Sequence, residues 1–316
     1  MATALCHKNK NQDINICYVP HYNVPQHIWG TYSMKIFTKI TEVRQQLMQD
    51  RANNLTVGLV PTMGALHNGH ISLVRQSKRD CDRTIVSIFV NPKQFGPGED
   101  YDSYPRDLEG DCKLLSEAGV DYVFAPSVEE MWPAGNLTSV EVANLSDMLI
   151  GKLRPGHFRG VTTVVAKLFN IVQPDTAFFG EKDFQQVVII RRMVEDLAFP
   201  VKIVGMPILR DADGVASSSR NQLLNAEDRK AAVIVPKSWK VAEKLFQDGE
   251  RNIETLRQAI ADVVAQEPRA VLEAADFRDV ATFEDVDGMI AKPTVLLLTV
   301  RFGSVRLIDQ HVLGKE

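Results

Sequence analysis

From Met34 onward, short runs rich in β-branched and aromatic residues alternate with stretches in which apolar residues recur every three to four positions. The runs are TVGLVP (56–61), TIVSIFV (84–90), DYVFAP (121–126), TAFFG (176–180) and VKIVGMPI (201–208). Helical spacing fills the gaps at 71–80, 108–118, 161–172 and 184–196. Uniformly apolar strands separated by helices predict a parallel sheet covered on both faces, a doubly wound α/β fold. The stretch MKIFTKITEVRQQL (34–47) also carries helical spacing, and the folded chain is expected to begin there.

Near Leu209 the texture changes. A polar loop, RDADGVASSSRN, is followed by helical patterns at 226–247 and 253–266. Then come VLEAADFRDV and TVLLLTVRFGSVRLID, which read as a small sheet with a hairpin turn at Gly303-Ser304. The expected boundary lies close to residue 208, between an α/β unit and a smaller C-terminal α+β unit. Residues 1–33 have neither helical periodicity nor the apolar core of a signal peptide, and read as a disordered N-terminal extension.

Charge and cysteine content narrow the function classes. A formal net charge of -4 across 316 residues argues against a general attraction to nucleic acid or an anionic membrane, so any anion binding is local. Cys6, Cys17, Cys81 and Cys112 form no close pair and no metal-ligand spacing, which suits reduced thiols. The longest apolar stretches stop well short of the ~20 residues a membrane span needs.

The densest chemistry is in LVPTMGALHNGHISLV (59–74), where His67 and His70 sit at a strand end and a helix start. In a helical turn the two side chains share a face, about 5 to 6 Å apart at Cβ. A helix N-terminus is receptive to phosphate, and Gly64 and Gly69 allow a ligand close to the backbone. A zinc reading needs further ligands that the segment lacks. A plain reading, one histidine capping and the other packing, stays open for the segment alone.

Two other segments meet the same sheet edge. FFGEKDFQQ (178–186) supplies Lys182 as a point charge, with Gln185 and Gln186 as hydrogen-bonding groups; a solvated turn capped by Asp183 is the alternative. SSSRN (217–221) sets three hydroxyls beside a guanidinium, an anion receptor or a flexible linker. The loop FVNPKQFGPGEDYDSYPRD (89–107) offers Asn91, Gln94 and Tyr104 to a polar substrate, and RPGHFRGVTTVV (154–165) offers His157 and Arg159, each with a surface-loop alternative.

Together PTMGALHNGH, IFVNPKQFGP, YPRD, GHFRGVTTVVAKLFNIVQPD, FFGEKDFQQ and SSSRN resemble, in order and spacing, the pantoate–β-alanine ligase family of the His-x-Gly-His nucleotidyltransferase superfamily, over about residues 34 to 313. The resemblance implies a Rossmann-like ATP- and pantoate-binding domain at 34–208 and a C-terminal lid domain at 209–316. It implies a magnesium-dependent, cytoplasmic, homodimeric enzyme with no nucleic-acid or membrane partner. Such an enzyme makes pantoyl adenylate and pyrophosphate from pantoate and ATP, then pantothenate and AMP on attack by β-alanine.

On this resemblance Met63, Gly64, Ala65, Leu66, His67, Asn68, Gly69 and His70 line the ATP site, with His70 at the proton-donor position. Gly180, Glu181, Lys182 and Asp183, then Leu209, Ser217, Ser218, Ser219 and Arg220, complete it. His67, Lys182 and Arg220 share the catalytic role with His70. Gln94 and Gln186 bind pantoate, joined by Pro61, Asn91 and Tyr104; Gln94 also serves β-alanine, and Asp111 contacts magnesium. Ser217 departs from the methionine or lysine of many relatives. Two other readings remain: a nucleotidyltransferase acting on a phosphorylated substrate, and a non-catalytic nucleotide- or tRNA-associated module.

Overall fold

The computed structural model describes residues 34–314; the expected extension at 1–33, with Cys6 and Cys17, lies outside the described residues. Strands β1 (Lys35–Phe37), β2 (Val57–Thr62), β3 (Arg83–Ile88), β4 (Tyr122–Phe124), β5 (Thr176–Gly180) and β6 (Lys202–Met206) form one sheet in the order β1-β4-β3-β2-β5-β6. Every pairing in it is parallel. Helices α1 (Ile40–Ala52), α6 (His157–Val172) and α7 (Phe184–Asp196) cover one face, sharing a core with Leu59, Ile85, Phe124 and Phe179. Helices α2 (Asn68–Asp80) and α3 (Leu108–Glu117) cover the other, against Val60, Val86, Val123 and Phe178. Side chains alternating between two apolar layers explain why these strands lack a polar face.

The start of the chain differs from its pattern. Residues 35–37 form an edge strand paired with β4, and the helix begins only at Ile40. A three-residue strand shows no period of its own, and its partner is distant in sequence. Short helices α4 (Val128–Met131) and α5 (Ile150–Leu153) lie in the connection to α6.

The pattern at 226–247 divides into α8 (Ala226–Ala231) and α9 (Ile234–Gln247). Pro236 accounts for the break, because a proline ring excludes the carbonyl four residues back from a continuous helix. Helix α10 (Ile253–Val264) and α9 pack on an antiparallel sheet of β7 (Ala270–Asp279), β8 (Thr294–Phe302) and β9 (Val305–Leu313), with Gly303-Ser304 turning β8 into β9.

The two sheets are joined by packing and charge. Phe283 stacks on Phe184 of α7 at 6.2 Å, and Arg210, just past β6, forms an ion pair of 2.8 Å with the buried Asp309 of β9. Trp239 donates to the same carboxylate. Among the described residues no helix is long and apolar enough to cross a membrane.

Strand order reverses at β2: β3 and β4 run away on one side, β5 and β6 on the other. The crevice beyond the carboxyl ends of β2 and β5 is where such sheets bind ligands.

Candidate functional site

Leaving β2, the chain turns through Gly64 (φ 82°) and Ala65 (φ 51°), both left-handed. Glycine adopts this freely, whereas alanine does so at a cost of about 1 to 2 kcal/mol. Asp111, 3% exposed at the start of α3, holds the turn by accepting from Ala65 N at 3.0 Å and Leu66 N at 2.7 Å. Its burial pushes the carboxyl up to about 6 against the pull of those two N–H groups.

His67 then caps α2, its Nδ1 accepting from Gly69 N at 3.1 Å while His70 Nδ1 accepts from His67 N at 3.3 Å. This reciprocal cap fixes both tautomers. A ring nitrogen that accepts carries no proton, so each neutral imidazole keeps its N–H at Nε2. The rings lie 4.2 Å apart between centroids, and both line the cleft. Burial, then the neighbouring His67, pushes His70 down to about 3; burial and Lys182 lower His67 as well. Gly69 serves this arrangement directly, since a Cβ there would lie 2.7 Å from His67 Cε1.

At the end of β5, Gly180, Lys182 and Asp183 line the same cleft, with Lys182 Nζ 3.8 Å from Asp183 Oδ1. A Cβ on Gly180 would meet no protein atom within 4 Å, so the backbone lies open there. The adjacent glutamines of α7 part company. Gln186 lines the cleft, whereas Gln185 is buried and holds the 145–150 segment through Leu145 O, Met148 O and Ile150 N. Glu181 faces Gly205 and Arg191 instead of the cleft.

Leu209, Ser217, Ser218, Ser219 and Arg220 form the opposite wall. Ser217 donates to Asp211 at 2.6 Å, which gives this chain's serine a local structural partner. Arg220 is 3.9 Å from Asp100, and Tyr104 hydrogen-bonds Ser219, so the loop before α3 reaches across the cleft.

The cleft, about 240 Å³, also contains Pro61, Met63, Gln94 and Tyr104. Gly64, Ala65, Leu66 and Asn68 build the turn and helix start without lining it. Two further expected site residues stand outside the lining. Asp111 is not among the residues lining the cleft, and each of its oxygens accepts a main-chain N–H group of the turn. Asn91 is 1% exposed and supports Gln94 from behind, donating to Gln94 Oε1 and Gly160 O and accepting from Trp132 Nε1.

Sequence reasoning passed over Arg154 and left His157 ambiguous, although both line the cleft; Arg159 does not. Val161, Val164, Val165 and Leu168, in the expected helical stretch 161–172, belong to the core and also reach the cleft. They form one stripe of α6 facing the cleft, and an i, i+3, i+4, i+7 spacing is the same for a core face and a pocket wall. Among the described residues no three His, Cys, Asp or Glu side chains gather to hold a metal.

These groups set the acid response. His70 at about 3 and His157 at about 4 resist protonation in the fold, so their stability contribution is complete above 6.5 and is lost as pH falls below it. At pH 5 each costs about 2 kcal/mol, while Asp111, raised from 3.8 to about 6, acts oppositely and returns about 1 kcal/mol. The urea midpoint is therefore expected to fall between pH 7 and pH 5, and His157→Asn to remove a large part of that fall. A midpoint that rises on acidification would contradict the assignment.

Comparison with known proteins bears on this geometry. The family model described as pantoate-beta-alanine ligase matches residues 35–312. The pantothenate synthetase of Bartonella henselae is 65% identical over 283 residues, 90% of this chain and 100% of that protein. That of Geobacter sulfurreducens is 50% identical over 90% of this chain and 100% of its own. The crystal structure of pantothenate synthetase from Thermus thermophilus superposes with a TM-score of 0.83 at 43% identity, covering 88% of this chain and 99% of the other. Pantoate-beta-alanine ligase from Francisella tularensis, complexed with β-γ ATP and β-alanine, gives 0.72 at 36% identity over 90% and 99%. A match along nearly the whole described chain, in sequence and in fold, places it in the pantoate–β-alanine ligase family.

Proposed function

We propose that this cleft joins pantoate to β-alanine at the expense of ATP, through pantoyl adenylate. The observation that carries the reading is the convergence of His67, His70, Lys182 and Arg220 on one crevice, beside Gln94, Gln186 and an apolar wall. Donors and cations at one end suit a triphosphate, while two amides over valines suit a small, branched, hydroxylated acid.

In the first step a carboxylate oxygen of pantoate attacks the α-phosphorus and the bond to pyrophosphate breaks. A carboxylic acid of pKa about 4 is already ionised at neutral pH, so this step needs no base. It needs stabilisation of charge gathering on phosphate oxygens. The Nε2–H groups of His67 and His70 supply it as neutral donors, with Lys182 and Arg220 as fixed charges, at about 3 to 4 kcal/mol for a well-placed donor. In the second step the β-alanine nitrogen attacks the acyl carbon and AMP leaves. The ammonium loses two protons in becoming the amide, one to solvent before attack and one to the departing AMP phosphate or solvent, since both histidine Nδ1 atoms accept main-chain N–H groups in the helix cap.

Asp183, a carboxylate lining the cleft, suits a magnesium ion carried mainly by the phosphates, the usual mode for that ion. Such an ion would neutralise phosphate charge during transfer. Residues 209–314 are read as a lid, since they carry Ser217 to Arg220. Homodimeric assembly and a cytoplasmic setting belong to the same proposal, on the family resemblance alone.

The decisive measurement is exchange of labelled pyrophosphate into ATP. Exchange is expected with pantoate, without β-alanine; exchange supported by a phosphomonoester and not by pantoate would overturn the reading.

A further inference from the structure

Beside Gln94 lies a set of half-buried polar groups that the reaction above does not use. Gln94 is 8% exposed, and its main-chain carbonyl takes two donors, His157 Nδ1 at 2.8 Å and Arg154 NH2 at 3.3 Å. Arg154 NH1 reaches His157 Nε2 at 3.2 Å. The remaining guanidinium edge grips Glu99 as a fork, Nε to Oε1 at 2.8 Å and NH2 to Oε2 at 2.5 Å.

The donor inventory decides what Arg154 is for. Four of its five N–H groups are engaged inside the protein and its charge is matched by Glu99 at 2.5 Å, so it is held more fully than Lys182 and Arg220, whose carboxylate partners lie at 3.8 and 3.9 Å. The bidentate geometry is the one in which arginine fixes orientation as well as charge. Burial pushes His157 down to about 4, and the hydrogen bond to Arg154 holds Glu99 down to about 2, so the ring is neutral and the carboxylate ionised at neutral pH. One tautomer satisfies every contact: Nδ1–H donates to Gln94 O and Nε2 accepts from Arg154.

We infer that Arg154 and His157 are positioning residues that set where Gln94 presents its amide to the acid substrate, and that Glu99 makes this position depend on the loop crossing the cleft. The inference rests on the pantoate reading of Gln94. The loop gives it a second consequence. Glu99 and Asp100 are consecutive, one bound to Arg154 at the amide end and the other 3.9 Å from Arg220 at the phosphate end. One short segment therefore touches both halves of the cleft.

The test uses the full chain and four variants, Glu99→Gln, Arg154→Lys, His157→Asn and His157→Phe. ATP affinity is read by calorimetry, and pantoate KM and kcat by pyrophosphate exchange. Losing a hydrogen bond to a charged or positioned group is expected to raise pantoate KM about tenfold in Glu99→Gln, Arg154→Lys and His157→Phe. ATP affinity and kcat should stay within about threefold, since the lost contacts bear on orientation of one substrate. His157→Asn keeps a donor where Nδ1 stood and should recover most of the loss. Glu99 is partly solvated, so Glu99→Gln tests the idea even where a His157 variant fails to fold.

Pantoate KM near the wild-type value in Glu99→Gln and His157→Phe would overturn the inference. So would a parallel loss of ATP and pantoate affinity, or His157→Asn behaving like His157→Phe. Absence of pantoate-dependent exchange in the wild-type chain would count instead against the proposed function.

Discussion

Replacing His70 with alanine is expected to lower pantoate-dependent pyrophosphate exchange by about 10²- to 10³-fold, the usual consequence of removing one preorganised donor at developing negative charge. Two losses are mixed in that variant. Alanine deletes the Nε2–H donor, and it also deletes the acceptor that satisfies His67 N at the start of α2, a cap worth about 1 kcal/mol of stability. Paired substitutions separate them. His70→Asn keeps an acceptor near the Nδ1 position and no donor at Nε2, so it should melt close to wild type and remain slow. His70→Gln can place an amide N–H near the Nε2 position and should regain part of the rate. Fast turnover in His70→Asn would show that the cap alone matters. Because His70 is already neutral, with its pKa down to about 3, kcat should not fall as pH rises through 6.5 on account of this residue.

Gly160→Ala is the second substitution with a large expected effect, and two terms oppose each other in it. Alanine is favoured over glycine inside a helix by about 1 kcal/mol. A Cβ at residue 160 would, however, lie 2.2 Å from Lys93 O, 2.5 Å from Lys93 C and 2.6 Å from Gln94 Cα. These are backbone atoms of a 3-10 turn pinned by Asn91, and they cannot swing aside as a side-chain tip can. Overpacking of this kind costs about 1 to 3 kcal/mol or more, so the clash outweighs the propensity gain. The expected result is a lower denaturant midpoint together with a raised pantoate KM, because the displaced residue is Gln94. A midpoint at or above wild type with unchanged pantoate KM would refute the packing argument. Gly180→Ala serves as the contrast, since its Cβ meets nothing in the protein and stability should hold.

How far such features can be read from the chain depends on whether their cause is local. Helix α7 spans Phe184–Asp196, as its periodicity predicts, because apolar spacing and the Gly180–Asp183 turn act within one segment. His67 and His70 were legible for the same reason: strand end, glycine, cap and helix start are contiguous. Gln185 and Gln186 were not separable, since adjacent helical positions diverge by about 100° and only the packed 145–150 segment decides which one turns inward. The bonds of Asp111 to the turn were not legible, because its partners, Ala65 N and Leu66 N, come from another strand connection. Arg154 carried no pattern at all; its significance comes from Glu99 and Gln94, which only the fold brings beside it.

The pairing of Arg210 with Asp309 has a consequence in time. Arg210 opens the loop bearing Ser217 to Arg220, and its guanidinium is seated on a carboxylate from β9, with Trp239 donating to the same group. During synthesis the His67 and Lys182 walls can emerge and dock while the Arg220 wall still lacks its anchor. A nascent chain stalled before residue 309 would thus leave Arg210 without the carboxylate that seats it, and the loop from Ser217 to Arg220 without that tie to β9.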